Sequence, residues 1–216
     1  EAKHTALLAS FNADSNYSSL AEADLVIEAV FEDMDVKKQV FKALEAACKP
    51  EAVFATNTSY LDVNEIAASV ADSSRVIGLH FFSPAHIMKL LEIVVPNNVA
   101  DDVLATAIQL AKALRKLPVL AGVCDGFIAN RIMSSYRREA DYLLEDGALP
   151  HEVDAAMRNF GMPMGIFEMQ DLAGLDIGWA ARKRRAATRP ASERYVDIPD
   201  RICERGHFGR QTGRGW

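Results

Sequence analysis

Apolar residues in the first 121 positions fall into short β-branched runs separated by stretches with helical spacing, the pattern of a mostly parallel sheet covered by helices. The run ADLVIEAV at 23–30 predicts a buried strand, and VKKQVFKALEAA at 36–47 predicts an amphipathic helix with Val36, Val40, Phe41 and Leu44 inward. The unit then repeats. Strands are expected at 52–56, 75–82, 90–95 and 118–121, with helices at 62–70 and 101–117. Beyond Gly122 the strand-like runs stop. Helices are expected at 127–146, with Gly147 as C-cap, at 150–160, stopped by Gly161-Met162-Pro163, and at 165–172 and 177–187. Two domains follow from this change of texture, an α/β part over 1–121 and an all-helical part over 122–216.

With 216 residues, half of them apolar and a quarter charged, the chain can bury a sizeable core. The net charge of −6 lies wholly before Pro118, which leaves no basic footprint for nucleic acid or an anionic membrane. No apolar run reaches the roughly 20 residues of a membrane helix, and residues 1–20 lack the order of a signal peptide. Cys48, Cys124 and Cys203 are odd in number and far apart, so neither a disulfide framework nor a CxxC metal site is indicated; a reducing compartment fits best. The first glycine is Gly78, so no glycine-rich turn of the kind that cradles a dinucleotide pyrophosphate lies before it. The late glycines, Gly206, Gly209, Gly213 and Gly215, read as loop.

Polar residues at strand ends carry the chemical signal, because ligands of open α/β sheets lie outside the carboxyl ends of the strands. Glu28 and Glu32 close the first strand, Thr56-Asn57-Thr58-Ser59 follows the second, His80 ends the third, and Glu92 sits inside the apolar fourth. A carboxylate flanked by Leu90, Leu91, Ile93 and Val94 is costly to bury without a partner. The short 83–89 connection could bring His80 and Glu92 together and make the imidazole an oriented general base. On spacing alone, a core histidine bonded to backbone and a snorkelling glutamate is the commoner arrangement. Ser59 and Asn57 are ordinary turn formers, Asn130 sits one turn into a helix, and Glu32 with Lys37 could be a solvated pair at a helix start. The basic run at 182–185 reads as an exposed helix face, open to an acidic partner or a coenzyme A phosphate.

The run GLHFFSPAHIMKLLEIV, with NTS ending 21 residues before the histidine and DGFIANRI placing its asparagine 50 residues after it, resembles the L-3-hydroxyacyl-CoA dehydrogenases of fatty-acid β-oxidation. VIEAVFEDMDVKKQVF, GMPMGIFEMQDLAGLD and FGRQTGRGW extend the resemblance over essentially the whole chain, with a texture like the dehydrogenase segment of multifunctional β-oxidation enzymes. The resemblance implies a Rossmann-type domain followed by a helical substrate and dimerisation domain. It also implies NAD as cofactor, a 3-hydroxyacyl-CoA substrate, and a homodimer or a larger multifunctional chain. It implies His80 as base, Glu92 as its orienting acid, and Ser59 and Asn130 as hydrogen-bonding groups. Ala29, Glu32, Lys37, Ser59 and Ser83 would line the cofactor, Ser83 standing where the family often has asparagine. The family's opening strand and glycine-rich turn would precede Glu1. A cytoplasmic site is expected for a bacterial parent, a peroxisomal or mitochondrial one otherwise. Two alternatives stand beside this reading: a non-catalytic, crystallin-like relative acting as an interaction module, and another β-hydroxy-acid dehydrogenase.

Overall fold

A computed structural model describes Thr5 and residues 8–216, which divide into two compact units, 1–131 and 132–216. In the first, five strands stand in chain order: β1 (Leu25–Glu28), β2 (Val53–Thr56), β3 (Val76–Phe81), β4 (Leu90–Val95) and β5 (Leu117–Gly122). All neighbours pair in parallel except β3 and β4, which the short 82–89 connection makes antiparallel. Helices α1 (Met34–Ala47), α2 (Val63–Ala67) and α3 (Asp101–Ala113) cover the sheet.

The period of two along a strand sorts residues onto two faces. Val53, Ala55, Ile77, Leu79, Leu91 and Ile93 pack against Val103, Ala107 and Ala111 of α3. Phe54 and Val76, on the opposite face, pack with Phe41, Leu44, Ile66 and Ala67 of α1 and α2. Asp33 and Asp62 cap α1 and α2 by accepting from amides of their first turns. The expected elements are present with shifted ends. The helix expected over 101–117 stops at Ala113, since Arg115 is left-handed at φ 57° and the Leu117 amide donates instead to the Lys89 carbonyl, opening β5.

Helix α4 (Ala129–Glu145) begins two residues later than the pattern predicts, because Gly126 and Phe127 both have positive φ. Its remainder, from Ile132, joins α5 (Pro150–Phe160), α6 (Ile166–Ala173), α7 (Leu175–Ala186) and α8 (Ile198–Glu204) in the second unit. Ala140, Leu144, Val153, Ile166 and Phe167 form its core, with the Trp216 ring 4.5 Å from that of Phe167. Asp154 is buried and accepts from the amides of Phe167 (2.9 Å) and Glu168 (3.1 Å), so one carboxylate closes the start of α6. Gly165 makes that possible: a Cβ there would lie 2.1 Å from the Asp154 carboxyl carbon. The late glycines are loop, as read. Gly209 and Gly215 let the C-terminal loop approach Asp171 where a side chain would collide.

Burial pushes the Asp141 carboxyl up to about 7, with Arg182 and Arg137 opposing the rise and Asp200 adding to it; its Oδ1 has no hydrogen-bond partner among the described residues. The folded chain therefore keeps a proton that the unfolded chain releases near the ordinary carboxyl value. This group's effect is to lower stability as pH rises from about 4 to about 7, and it is constant above. Asp141→Asn is expected to raise the melting temperature at pH 8 and leave it unchanged near pH 4. Calorimetry at the two pH values checks the difference.

Candidate functional site

Of the seven buried polar or charged residues among those described, six lie in the first unit: Glu28, Lys37, Thr56, Thr58, His80 and Glu92. Four of these sit on even-numbered strand positions and so share one sheet face. The register sets Glu28 opposite Thr56 and His80 opposite Glu92. The concentration is informative because burying a charge without partners costs several kcal/mol, on the order of the whole stability of a domain.

His80 and Glu92 do meet. The imidazole Nδ1 lies 2.8 Å from Glu92 Oε2, with the histidine 3% and the glutamate 1% exposed. The other glutamate oxygen accepts from the amides of Ile128 (3.1 Å) and Ala129 (2.8 Å) at the start of α4. Glu92 is thus held by strand, ring and helix end together, and the snorkelling alternative is overturned. With an ionised Glu92 accepting at both oxygens, Nδ1 is the donor to Oε2, and in the neutral ring this tautomer leaves the lone pair on Nε2. Phe82 and Phe127 flank the ring at 4.4 and 5.6 Å between centroids. Gly78 permits the close pairing of β3 with β4, since a Cβ there would stand 2.6 Å from Val94 Cβ.

A second network lies beside the first. Glu28 Oε1 accepts from Lys37 Nζ (2.7 Å) and the Val30 amide (2.6 Å), and its Oε2 accepts from Thr56 Oγ1 (2.7 Å). Glu32 Oε1 accepts from Thr58 Oγ1 (2.6 Å) and from the amides of Ser59 (2.7 Å) and Tyr60 (3.0 Å). Lys37 is 1% exposed, so the solvated-pair alternative for Glu32 and Lys37 fails: the ammonium is inside, on Glu28, with Glu32 Oε2 at 3.6 Å.

Of the other expected site residues, Ala29 and Ser83 are exposed, and Ser59 and Asn130 are half-buried. Asn130 Nδ2 lies 3.5 Å from the Ser59 carbonyl oxygen, which brings those two segments together at the limit of a hydrogen bond. Asn130 is the second residue of α4, in its first turn instead of one turn in, because the left-handed Gly126-Phe127 turn delays the helix. Asn57 does more than form a turn: its amide donates to the Glu28 carbonyl and its Oδ1 accepts from the Phe81 amide, clamping three strand ends beside His80. The amides of Ile128 and Ala129 were missed altogether. Their one trace in the sequence is Gly126, a residue suited to the turn that aims them.

The chain matches the family model described as 3-hydroxyacyl-CoA dehydrogenase, NAD binding domain, over residues 1–124, and that of the C-terminal domain over 126–216. It is 48% identical over 213 residues to the peroxisomal bifunctional enzymes of Cavia porcellus and Homo sapiens, covering 94% of this chain but 29% and 30% of theirs. The solved (S)-3-hydroxybutyryl-CoA dehydrogenase of Ralstonia eutropha superposes with a TM-score of 0.90 at 30% identity, covering 99% of this chain and 77% of that one. The 3-hydroxybutyryl-CoA dehydrogenase of Escherichia coli superposes at 0.85 and 36%, covering 94% and 44%.

The hydrogen-bond assignment can be read directly. In Glu92→Gln the amide oxygen is needed by Ile128 and Ala129, so the NH2 group faces Nδ1 and drives the ring proton to Nε2. Long-range nitrogen–proton NMR of His80 is expected to show the tautomer change with the fold kept; an unchanged tautomer would contradict the assignment. A Rossmann-like sheet with the His80–Glu92 pair, a helical second unit and family matches over both place the chain in the 3-hydroxyacyl-CoA dehydrogenase family.

Proposed function

We propose that this chain is the dehydrogenase segment of a longer, multifunctional enzyme that oxidises (S)-3-hydroxyacyl-CoA to 3-ketoacyl-CoA with NAD in fatty-acid β-oxidation. The observation that carries the reading is the buried His80–Glu92 pair, next to the segment after β2 whose Asn57 bonds the Phe81 amide. In the proposed reaction Nε2 of His80 takes the 3-hydroxyl proton, and the Glu92 carboxylate, kept in place by two amides, stabilises the imidazolium that forms. Ser59 and Asn130 hydrogen-bond the substrate oxygen as it passes from hydroxyl to carbonyl, which suits neutral donors. NAD, when bound, supplies the acceptor for the hydride leaving the same carbon.

The residues present fit the nicotinamide and ribose end of that cofactor. Ala29 is small and exposed at the end of β1, Glu32 offers an accessible carboxylate, and Ser59 and Ser83 offer hydroxyls. Lys37 would act from below, its ammonium already on Glu28. The turns after β1 and β2, at 29–33 and 57–62, contain no glycine, so they do not provide a pyrophosphate cradle. In this reading 1–121 serves the cofactor and 122–216 the acyl-CoA and self-association, in a homodimer or within a larger chain. Exposed Ile132, Leu143, Phe160 and Ile177 on the second unit support such burial. Among the described residues no helix is long and apolar enough to cross a membrane. The names of the peroxisomal relatives support a peroxisomal parent over a cytoplasmic one.

The full-length protein is expected to reduce NAD with 3-hydroxybutyryl-CoA or longer thioesters, followed by NADH absorbance. His80→Gln is expected to lower turnover by roughly 10² to 10⁴ with cofactor affinity nearly unchanged. Absence of NADH formation with every chain length would end the reading, and an unchanged rate in the variant would make the histidine structural.

A further inference from the structure

Among the described residues Glu28 has no hydrogen bond to Ser59 or His80, yet its side chain is 1% exposed and both its oxygens accept hydrogen bonds, two at Oε1 and one at Oε2. Lys37 Nζ is shared unequally between two carboxylates, 2.7 Å from Glu28 Oε1 and 3.6 Å from Glu32 Oε2. The inequality has a consequence for Glu32, whose other oxygen is the common acceptor for the Thr58 hydroxyl and the Ser59 and Tyr60 amides. A buried ammonium without a full counter-charge draws in the nearest anion. We propose that Glu28 is a positioning residue: its carboxylate satisfies Lys37, so that Glu32, 35% exposed at its side chain, stays turned toward the 58–60 loop and keeps Ser59 in place. The link to turnover rests on the function proposed above; the link to the loop does not.

The arrangement explains why one ammonium and two carboxylates occur at this strand end. Glu28 and Lys37 cancel inside, Thr56 and Val30 also donate to Glu28, and one net negative charge is left on Glu32 at the surface. In Glu28→Gln the amide can still bond Val30 and Thr56, but Lys37 loses its neutralising partner and competes for Glu32. In the double variant Glu28→Gln/Lys37→Met that competitor is gone, and Glu32 is free to hold the loop again.

The test is hydrogen exchange followed by mass spectrometry on the full-length protein without ligands. Glu28→Gln is expected to speed exchange of the 58–60 amides by about tenfold, with α3 unchanged, and the double variant to return it to within about threefold of wild type. In parallel, kcat of Glu28→Gln is expected to fall about tenfold with KM for the acyl-CoA little changed. Unchanged loop exchange in Glu28→Gln, or equal acceleration in both variants, overturns the proposal and leaves Glu28 a structural partner. If Glu28→Gln does not fold, folding of the double variant with a protected loop supports the proposal, and failure of both overturns it. A wild-type protein without dehydrogenase activity would sink the proposed reaction while the exchange result still decides the role of Glu28.

Discussion

A carboxylate cannot sit inside a protein unless its oxygens are met by donors, and two of them are buried in this sheet. Glu92 meets the requirement with the ring of His80 from β3 and two amides from the start of α4, residues 36 and 37 positions away in sequence. Glu28 meets it with Lys37 from α1 and Thr56 from β2. Each acid therefore gathers two elements, and the surfaces they gather are the ones on which the proposed chemistry runs. The same need keeps residues 122–131 with the sheet, since the amides that satisfy Glu92 lie just beyond β5.

Fold and site are consequently not separable in the first unit. Even-numbered positions of β1 to β4 carry apolar residues, Phe54, Val76 and Val94, and then Glu28, Thr56, His80 and Glu92 on the same face. Core packing and the polar network share one register, so a slip of one residue would bury the wrong set. Gly78 and Asn57 hold that register locally, the first by admitting Val94 and the second by bonding both neighbouring strand ends. In the second unit Asp154 repeats the logic with Gly165, a buried carboxylate closing a helix start at a point where no side chain fits.

Strand positions followed from the β-branched runs, and helix existence from apolar spacing, because both depend on which residues face a core and that is local information. Ends were less well placed. Helix α3 yielded four residues to the pairing of Leu117 with Lys89, and α4 yielded two to a left-handed turn. Helix α8 leaves no pattern in the sequence: seven residues beginning Ile198-Pro199 are too few to show a period, and only packing, with Pro199 and Cys203 inward, makes them helical.

The oddity of Glu92 within an apolar run, the residue types at the strand ends and the family resemblance were all written in the chain. Which oxygen takes which donor was not. That Lys37 lies inside on Glu28, that Asn57 bridges two strand ends, and that the amides of Ile128 and Ala129 hold Glu92 are results of chain segments distant in sequence meeting in space. Hydrogen bonds are short-ranged and directional, so their partners exist only once tertiary packing has set the backbones in place.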